Sequence, residues 1–157
     1  MKERKIVALI QEYSPGELPE LYRPLVEAAK QATRRAHAPY SRFHVGAAIQ
    51  LANGEIVCGA NQENAAFSSG TCAERSACFY AASQFPGVPF SRIAIAAWPE
   101  ESQAFQKKPI SPCGSCRQAL LEYEAMHGPI EVILFGSEAV YVLPSVSSLL
   151  PLSFTEF

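Results

Sequence analysis

The chain lacks the features that mark several large classes of protein. Its 157 residues contain no run of about 18 apolar residues, the length that a membrane-spanning helix needs. The apolar run near the start, Ile6–Ile10, is shorter than the core of a signal peptide. Lys and Arg number 13 against 15 Asp and Glu, so no excess of positive charge is available for a phosphate backbone. These absences predict a cytoplasmic protein that binds neither membrane nor nucleic acid.

Disulfides and intrinsic disorder are disfavoured by the same composition. The five cysteines are an odd number in a chain too long for a disulfide-stapled mini-protein, which favours reduced thiols, some of them bound to metal. Apolar residues make up 48% of the chain and charged residues 18%, a balance that can build a hydrophobic core. We expect a single domain over residues 1–157, with its core at about residues 18–154.

The periodicity of apolar residues predicts a helix, a hairpin, and then alternating helices and strands. Asn53-Gly54 is a strong hairpin signal, and Pro24 is expected in the first turn of the first helix. The predicted helices cover residues 18–36, 72–84, 113–126 and 145–150. The predicted strands cover residues 43–51, 55–60, 91–98, 130–135 and 139–143. This order indicates an α/β layered fold with a mixed sheet of five strands.

Two short motifs carry residues suited to chemistry, Cys72-Ala73-Glu74 and Pro112-Cys113-Gly114-Ser115-Cys116. A lone Cys-x-x-Cys pair has four interpretations: half of a four-thiolate structural zinc site, a redox pair, a coincidence, or part of a catalytic metal site. Cys58 and Cys78 lie in apolar patterns and are interpreted as packing residues. That leaves Cys72 as the natural third partner of the pair, and three protein ligands with one open position are typical of catalytic zinc.

The position of Glu74 gives the cluster a possible acid and base. Both motifs fall at predicted helix starts, where unpaired N–H groups and the helix dipole stabilise thiolates. A carboxylate two positions after Cys72 sits beside the metal without binding it, and it can take a proton from water and deliver it elsewhere. Taken alone, Glu74 fits a solvated residue of a helix N-terminus better than a catalytic group. Beside three cysteines with zinc spacing, we favour the catalytic role.

Cys-x-Glu with Pro-Cys-x-x-Cys is the three-cysteine version of the signature of zinc-dependent nucleobase deaminases. The chain resembles the small homotetrameric cytidine deaminases over about residues 18–154. The resemblance rests on four motifs in family order: 39–48 (PYSRFHVGAA), 61–65 (NQENA), 71–75 (TCAER) and 111–118 (SPCGSCRQ). His44 and Phe67 stand where the family more often has Pro and Tyr, and residues 122–137 are less typical.

The resemblance implies a three-layer α-β-α fold, a homotetramer, and one Zn²⁺ per subunit held by Cys72, Cys113 and Cys116. It implies hydrolysis of cytidine and 2′-deoxycytidine to uridine and 2′-deoxyuridine plus ammonia, in pyrimidine salvage. Glu74 would move the protons of this reaction. For the substrate, the resemblance implies that Phe43 contacts the pyrimidine and that Asn61 and Glu63 bind the ribose 3′-hydroxyl. Main-chain groups of Thr71, Ala73 and Ser111 would recognise the base edge. Phe67 and Phe154 would contact neighbouring subunits.

Two arginines are candidates to stabilise the thiolates. Three thiolates give Zn²⁺ an excess of negative charge, which Arg75 and Arg117 can offset by donating hydrogen bonds to sulfur. The family places the Arg that follows the catalytic Glu in this way, so Arg75 is favoured. Each of the two also fits a surface charge.

The sequence is also compatible with other functions. A blasticidin S deaminase, or another deaminase of cytosine-nucleoside analogues, shares the three-cysteine site, although Phe43, Asn61 and Glu63 favour cytidine. A nucleotide or polynucleotide substrate is disfavoured because the first ligand is Cys rather than His and no basic stretch follows the motifs. A zinc-stabilised interaction module without catalysis would need a fourth ligand, from Cys58, Cys78 or a His.

Overall fold

The computed structural model describes residues 1–155, in which a short strand and a helix precede a hairpin, and two further helices alternate with the strands that follow. The three α-helices are α1 (Arg23–Ala32), α2 (Ala73–Gln84) and α3 (Gly114–His127). The strands are β1 (Gln11–Tyr13), β2 (Phe43–Leu51), β3 (Ile56–Ala60), β4 (Phe90–Pro99), β5 (Glu131–Phe135) and β6 (Val140–Leu143). No helix in this range is both long and apolar enough to cross a membrane.

All six strands form one mixed sheet, in the order β1-β6-β5-β4-β2-β3. Neighbouring strands are antiparallel except β4 and β5, which are parallel. The predicted α/β layered fold is confirmed, but the predicted strand number of five is wrong by one. The additional strand, β1, pairs with β6 from Gln11↔Val142 to Tyr13↔Val140. Its three residues are too few to show the alternation by which strands are recognised.

The predicted helix over 18–36 is interrupted at both ends. A 3₁₀ turn at Glu20–Tyr22 precedes α1, and another at Thr33–Arg35 follows it. Pro24 lies in the first turn of α1, as expected. The Thr33 hydroxyl donates to the Lys30 carbonyl oxygen at 2.7 Å, a local bond that competes with regular helix. The short helix predicted over 145–150 is a 3₁₀ turn at Ser147–Leu149.

The helices cover both faces of the sheet and give it three layers. Side chains of a strand point alternately to opposite faces, and the buried strand β4 shows this directly. Ile93 and Ile95 pack in the core that includes α2 and α3, whereas Ala94 and Ala96 pack in the core that includes α1. Residues of both sets are fully buried.

Glycine allows the helices to lie unusually close to the sheet. A Cβ atom on Gly59 of β3 would lie 2.5 Å from the carbonyl oxygen of Ala73, the first residue of α2. A Cβ atom on Gly46 of β2 would overlap the carbonyl oxygen of Ala29 in α1. Backbone cannot move easily out of such contacts, so no side chain fits at either position. Gly59 therefore fixes how closely the N-terminal end of α2 approaches the sheet.

Topology brings the N-termini of α2 and α3 to one edge of the sheet. Strands β3 and β4 both run antiparallel to β2, which lies between them, so they run parallel to each other. A loop and α2 follow β3, and a loop and α3 follow β4. Both helices therefore begin at the carboxyl ends of these strands, where open α/β sheets bind their ligands.

Candidate metal centre and active site

The beginnings of α2 and α3 bring three thiols together. Cys72 and Cys113 directly precede the two helices with extended backbone, and Cys116 lies in the first turn of α3. The Sγ atoms of Cys72 and Cys113 are 4.0 Å apart, those of Cys113 and Cys116 are 3.3 Å apart, and all three lie within 4.8 Å of one another. A tetrahedral zinc ion with Zn–S bonds of about 2.3 Å holds its sulfurs about 3.8 Å apart, so the three thiols fit this metal.

No fourth His, Cys, Asp or Glu joins these thiols within residues 1–155. Cys58 lies in β3 with its Sγ 3.9 Å from the Ala28 carbonyl oxygen. Cys78 is fully buried in α2, where desolvation raises its pKa to about 12 and keeps it a neutral thiol. Three protein ligands that leave a coordination position open are typical of catalytic rather than structural zinc.

Glu74 is a buried carboxyl group beside the thiols. It lies in the first turn of α2, is only 4% exposed, and lines a cavity in front of the thiol cluster. Desolvation raises its pKa and the nearby charge of Cys72 adds to the increase, while its own backbone N–H and the Cys116 thiol oppose it. A carboxyl group whose pKa is raised towards neutrality can both accept and release a proton.

Arg75 lies against the thiol cluster. Its Nη2 is 3.8 Å from the Cys72 Sγ atom. Hydrogen bonds from the Cys116 thiol and from Arg75 lower the pKa of Cys72 to about 5, although partial burial opposes this. The same bond to Cys72 raises the pKa of Cys116. The guanidinium group of Arg75 therefore lies where it offsets negative charge on the Cys72 sulfur.

A cavity of about 450 Å³ opens in front of Cys72, Cys113 and Glu74, within the size range of small-molecule sites. Most of the residues predicted to contact substrate line this cavity: Asn61, Glu63, Phe67, Thr71, Ala73 and Ser111. Phe43 is not among its lining residues; it lies at the beginning of β2, opposite Pro99. Its contact with the pyrimidine stays a prediction without support from this geometry.

Asn61 and Glu63 hold the cavity wall in place. The Asn61 side chain accepts a hydrogen bond from the Val45 backbone N–H at 2.8 Å and donates one to the Phe43 carbonyl oxygen at 2.9 Å. Glu63 Oε2 accepts bonds from the successive backbone N–H groups of residues 40 and 41, at 2.9 and 3.1 Å. The Ser41 hydroxyl is the largest cause of the lowered pKa of Glu63. An amide and a carboxylate each retain capacity for a further bond to a sugar hydroxyl.

Gln62, which the sequence motifs did not single out, joins the cavity wall to the rest of the fold. Its backbone N–H and carbonyl groups both pair with Thr71, each at 2.9 Å. Its side-chain Nε2 donates to the Arg35 carbonyl oxygen at 3.0 Å. These bonds place the Asn61–Glu63 segment next to Cys72. They also occupy the Thr71 carbonyl oxygen, which the resemblance assigns to recognition of the base edge. In the sequence, Gln62 is marked only by its place as the middle residue of the Asn-Gln-Glu motif.

Arg117 does not take the position expected of it. Its Nε donates to the Pro112 carbonyl oxygen at 2.8 Å, and its Nη1 donates to the Leu149 carbonyl oxygen at 2.6 Å. It therefore anchors the Ser147–Leu149 turn to the beginning of α3 instead of donating to a thiolate. The two arginines that follow the ligand motifs thus differ in function.

The two rings predicted to contact neighbouring subunits both lie at the surface. Phe67 is 82% exposed at the mouth of the cavity and meets the Tyr40 ring edge-on, with 6.0 Å between centroids. Phe154 is 66% exposed, and its carbonyl oxygen accepts a bond from Gln118 Nε2 at 2.7 Å. It does not line the cavity of its own chain.

A layered α/β fold that sets three thiols and one buried carboxyl group around a cavity is the arrangement of the zinc-dependent deaminases. A family model described as "Cytidine and deoxycytidylate deaminase zinc-binding region" matches residues 19–130. The chain belongs to this family, and zinc is its metal.

Named relatives and solved structures agree with this assignment. The chain is 38% identical to the cytidine deaminase of Sporosarcina psychrophila over 133 residues, which cover 84% of this chain and 90% of the relative. It is 33% identical to the probable cytidine deaminase of Dictyostelium discoideum, covering 83% and 82% of the two chains. The crystal structure of cytidine deaminase from Burkholderia pseudomallei superposes with a TM-score of 0.71 at 38% identity, covering 85% of this chain and 98% of the other.

Proposed function

We propose that the protein catalyses the hydrolytic deamination of cytidine and 2′-deoxycytidine to uridine and 2′-deoxyuridine, with release of ammonia, as a step of pyrimidine salvage. The observation that carries this proposal is the buried Glu74 carboxyl group, which faces a cavity of about 450 Å³ beside three converging thiols. The named relatives are cytidine deaminases, which supports the same substrate class.

Cys72, Cys113 and Cys116 hold the zinc ion, one per chain. When bound, zinc lowers the pKa of a coordinated water to about 7. Two features of the chain stabilise the thiolate form of these ligands. The helix dipoles at the beginnings of α2 and α3 favour thiolates, and Arg75 donates to the Cys72 sulfur.

Glu74 moves the protons of the reaction. Its carboxylate accepts a proton from the attacking water and gives it to N3 of the cytosine ring as the oxygen adds to C4. It then takes the remaining hydroxyl proton and gives it to the amino group on C4. The C4–N bond breaks, and ammonia and the C4 carbonyl of uracil are formed. One group that acts first as base and then as acid suffices, and the raised pKa of Glu74 suits both tasks.

The remaining wall of the cavity orients the nucleoside. Asn61 and Glu63 bind the 3′-hydroxyl with the hydrogen-bonding capacity that their backbone contacts leave. The backbone N–H of Ala73 and the carbonyl group of Ser111 meet the base edge. The Thr71 carbonyl oxygen, already bonded to the Gln62 N–H, offers its second lone pair. Contact of Phe43 with the ring rests on the family resemblance and not on the lining of the cavity. The Asn61 and Glu63 pair favours a sugar-bearing substrate, and the net charge of −2 suits an uncharged one.

The chain acts as a cytoplasmic, single-domain homotetramer in this proposal. Large apolar side chains are exposed on one helix, Phe79 (51%) and Tyr80 (57%) of α2, and at the cavity mouth, Phe67 (82%). Exposed aromatic residues of this kind mark surfaces that are buried on association. Phe67 and Phe154 would each approach the cavity of a neighbouring chain.

The substrate is tested with a panel that separates the alternatives. The purified protein is assayed by ultraviolet absorbance with cytidine, 2′-deoxycytidine, dCMP and blasticidin S. The proposal predicts that both nucleosides are turned over with a far higher kcat/KM than dCMP or blasticidin S. Preference for blasticidin S would identify an analogue deaminase instead. Absence of turnover of both nucleosides by the zinc-loaded protein would overturn the proposal.

A further inference from the structure

A further cavity lies at the C-terminal end of α1, and it shares no lining residue with the active-site cavity. It measures about 780 Å³, within the range of small-molecule sites. We call it the basic cleft and define it by six of its lining residues: Lys30, Gln31, Arg34, Arg35, Trp98 and Phe105. Nothing in the deamination mechanism uses these residues.

The basic cleft carries positive charge that the rest of the protein does not neutralise. Its acidic lining residue, Glu27, forms an ion pair with Lys30. Arg34 and Arg35 are exposed, and neither has a carboxylate partner among residues 1–155. The two guanidinium groups are adjacent in the chain and line the same cavity.

Neutral aromatic and amide side chains surround this charge. The Trp98 ring stacks on His44, with 4.2 Å between centroids, and its Nε1 donates to the Thr33 hydroxyl at 2.8 Å. The Phe105 ring lies 5.5 Å from the Lys30 ammonium group, which holds it in place. Gln31 and Gln103 add amide groups that can both donate and accept hydrogen bonds.

We propose that the basic cleft is an effector site for a phosphorylated nucleoside, with the phosphate on Arg34 and Arg35. Guanidinium groups match phosphate oxygens in pairs, which favours phosphate over a simple halide. The amides and rings suit a heterocyclic base and its sugar. Two uncompensated cations provide too little charge for a strong grip on a nucleic-acid strand.

The structure also links the basic cleft to the sugar end of the active-site cavity. The Arg35 carbonyl oxygen accepts a bond from Gln62 Nε2 at 3.0 Å. Two residues later, the His37 backbone donates to the Asn61 carbonyl oxygen at 2.9 Å and accepts from the Glu63 N–H at 2.8 Å. A ligand that fixes Arg35 therefore acts on the segment that carries Asn61 and Glu63, and we expect it to change the KM for cytidine.

Binding is tested with UMP, which has no amino group to lose, while saturating uridine occupies the active site. Trp98 is the only tryptophan of the chain, so its fluorescence reports on the basic cleft. UMP should change this fluorescence saturably, whereas further uridine should not. Loss of two guanidinium–phosphate contacts in Arg34→Gln/Arg35→Gln should raise the Kd at least about tenfold. The control Arg4→Gln removes an exposed charge in the N-terminal segment and should leave the Kd unchanged.

Three outcomes would overturn the proposal. One is the absence of saturation by UMP up to about 10 mM. Another is an unchanged Kd in the double variant. The third is a short single-stranded RNA that binds more than about tenfold tighter than UMP, because multiple phosphate contacts would then define the site. None of these measurements requires turnover, so they stand independently of the proposed deamination.

The effector role is tested by steady-state kinetics with and without UMP. A coupled site predicts that UMP shifts the KM for cytidine by about fivefold in the wild type and not in the double variant. Equal inhibition of both proteins would show that UMP acts only at the active site and would contradict the effector role. Inorganic phosphate in place of UMP shows how much of the effect comes from the phosphate alone.

Discussion

At the residue scale, Arg75 is the cation that balances the thiol cluster. Its guanidinium group lies 3.8 Å from the Cys72 sulfur, and no other arginine has a contact with the three thiols among the described residues. Arg75→Gln removes this charge and leaves a shorter polar side chain. We expect the variant to lose zinc to a competing chelator about 10 to 100 times more readily than the wild type.

Arg117 provides a matched comparison, because it follows a ligand motif but bonds backbone carbonyl groups. Arg117→Gln should leave zinc affinity close to that of the wild type and lower the free energy of unfolding by about 1–3 kcal/mol. Chelator competition and urea denaturation separate the two effects. A loss of zinc affinity in Arg117→Gln as large as in Arg75→Gln would contradict the distinct positions of the two side chains.

The sequence predicts individual residues well where the chemistry is local in the chain. Cys-x-x-Cys places two thiols three residues apart at a helix start, where side chains of this spacing meet. Cys-x-Glu places Cys72 and Glu74 together at the start of α2. One of the two partners of Arg117 is not local, because Leu149 lies 32 residues further along the chain. The bonds of the Asn61 side chain to the β2 backbone span 16 and 18 residues. No pattern in either segment indicates them.

At the scale of secondary-structure elements, Gly59 controls the contact between β3 and α2. Gly59→Ala would drive a methyl group into the Ala73 carbonyl oxygen and the first turn of α2. Since Cys72 and Glu74 sit at this end of the helix, we expect zinc content below one per chain as well as lower stability, by about 1–3 kcal/mol or more. Metal analysis and thermal unfolding measure these effects.

Gly16→Ala is the control for that substitution. A Cβ atom at Gly16 meets nothing within 4 Å, so this variant should match the wild type in stability and zinc content. Equal behaviour of the two alanine variants would contradict the proposed close packing of α2 on β3.

Glu124 ties α3 to the end of the sheet. Its buried carboxylate accepts bonds from the backbone N–H groups of Ile130, Val146 and Ser147, at 2.9, 2.7 and 2.8 Å. Glu124→Gln replaces one acceptor by an amide donor and leaves at least one of the three N–H groups without its partner. We expect a loss of about 1–3 kcal/mol, or about 3–10 °C in Tm, with kcat/KM of the folded protein nearly unchanged.

Glu122→Gln on the exposed side of the same helix serves as its control and should not change Tm. A Tm for Glu124→Gln equal to that of Glu122→Gln would show that the three bonds contribute nothing net.

The elements themselves were predictable to different degrees. The strands of the hairpin and β4 carry long apolar patterns, and the structure places them close to the predicted bounds. Strand β1 exists because β6 offers it a partner about 130 residues away, and the break of the first helix at Thr33 depends on a hydroxyl bond. Both result from contacts that periodicity does not encode.

At the scale of the whole molecule, the exposed aromatic residues of α2 allow a test of the proposed homotetramer. The proposed tetramer predicts a mass of about four times the 17.1 kDa chain by sedimentation. Phe79→Glu puts a charge on a 51% exposed ring of α2 and should give smaller species with reduced activity. Val7→Glu, at an exposed position of the N-terminal segment, should keep the assembly. A wild-type monomer with full activity would contradict this proposal.

The layered architecture is predictable from the order of elements. Helices that alternate with strands pack on both faces of the sheet that the strands form. The basic cleft is not predictable in this way, since its residues come from the end of α1, the end of β4 and the segment beyond it. Arg34 and Arg35 are adjacent in the chain, but Trp98, Gln103 and Phe105 lie far from them in sequence, and only the fold brings these residues around one cavity. The motifs predict the residues of the active-site cavity because those residues lie close together in the sequence.

The central claim is that Glu74 performs proton transfer beside a zinc ion held by three cysteines. It is tested most directly by comparing cytidine turnover and zinc content in the wild type and Glu74→Gln, a variant that keeps the size of the side chain. We predict one zinc per chain in both proteins and a kcat reduced by about 10³-fold or more in the variant. A zinc-loaded Glu74→Gln protein that deaminates cytidine at a rate near that of the wild type would contradict the mechanism.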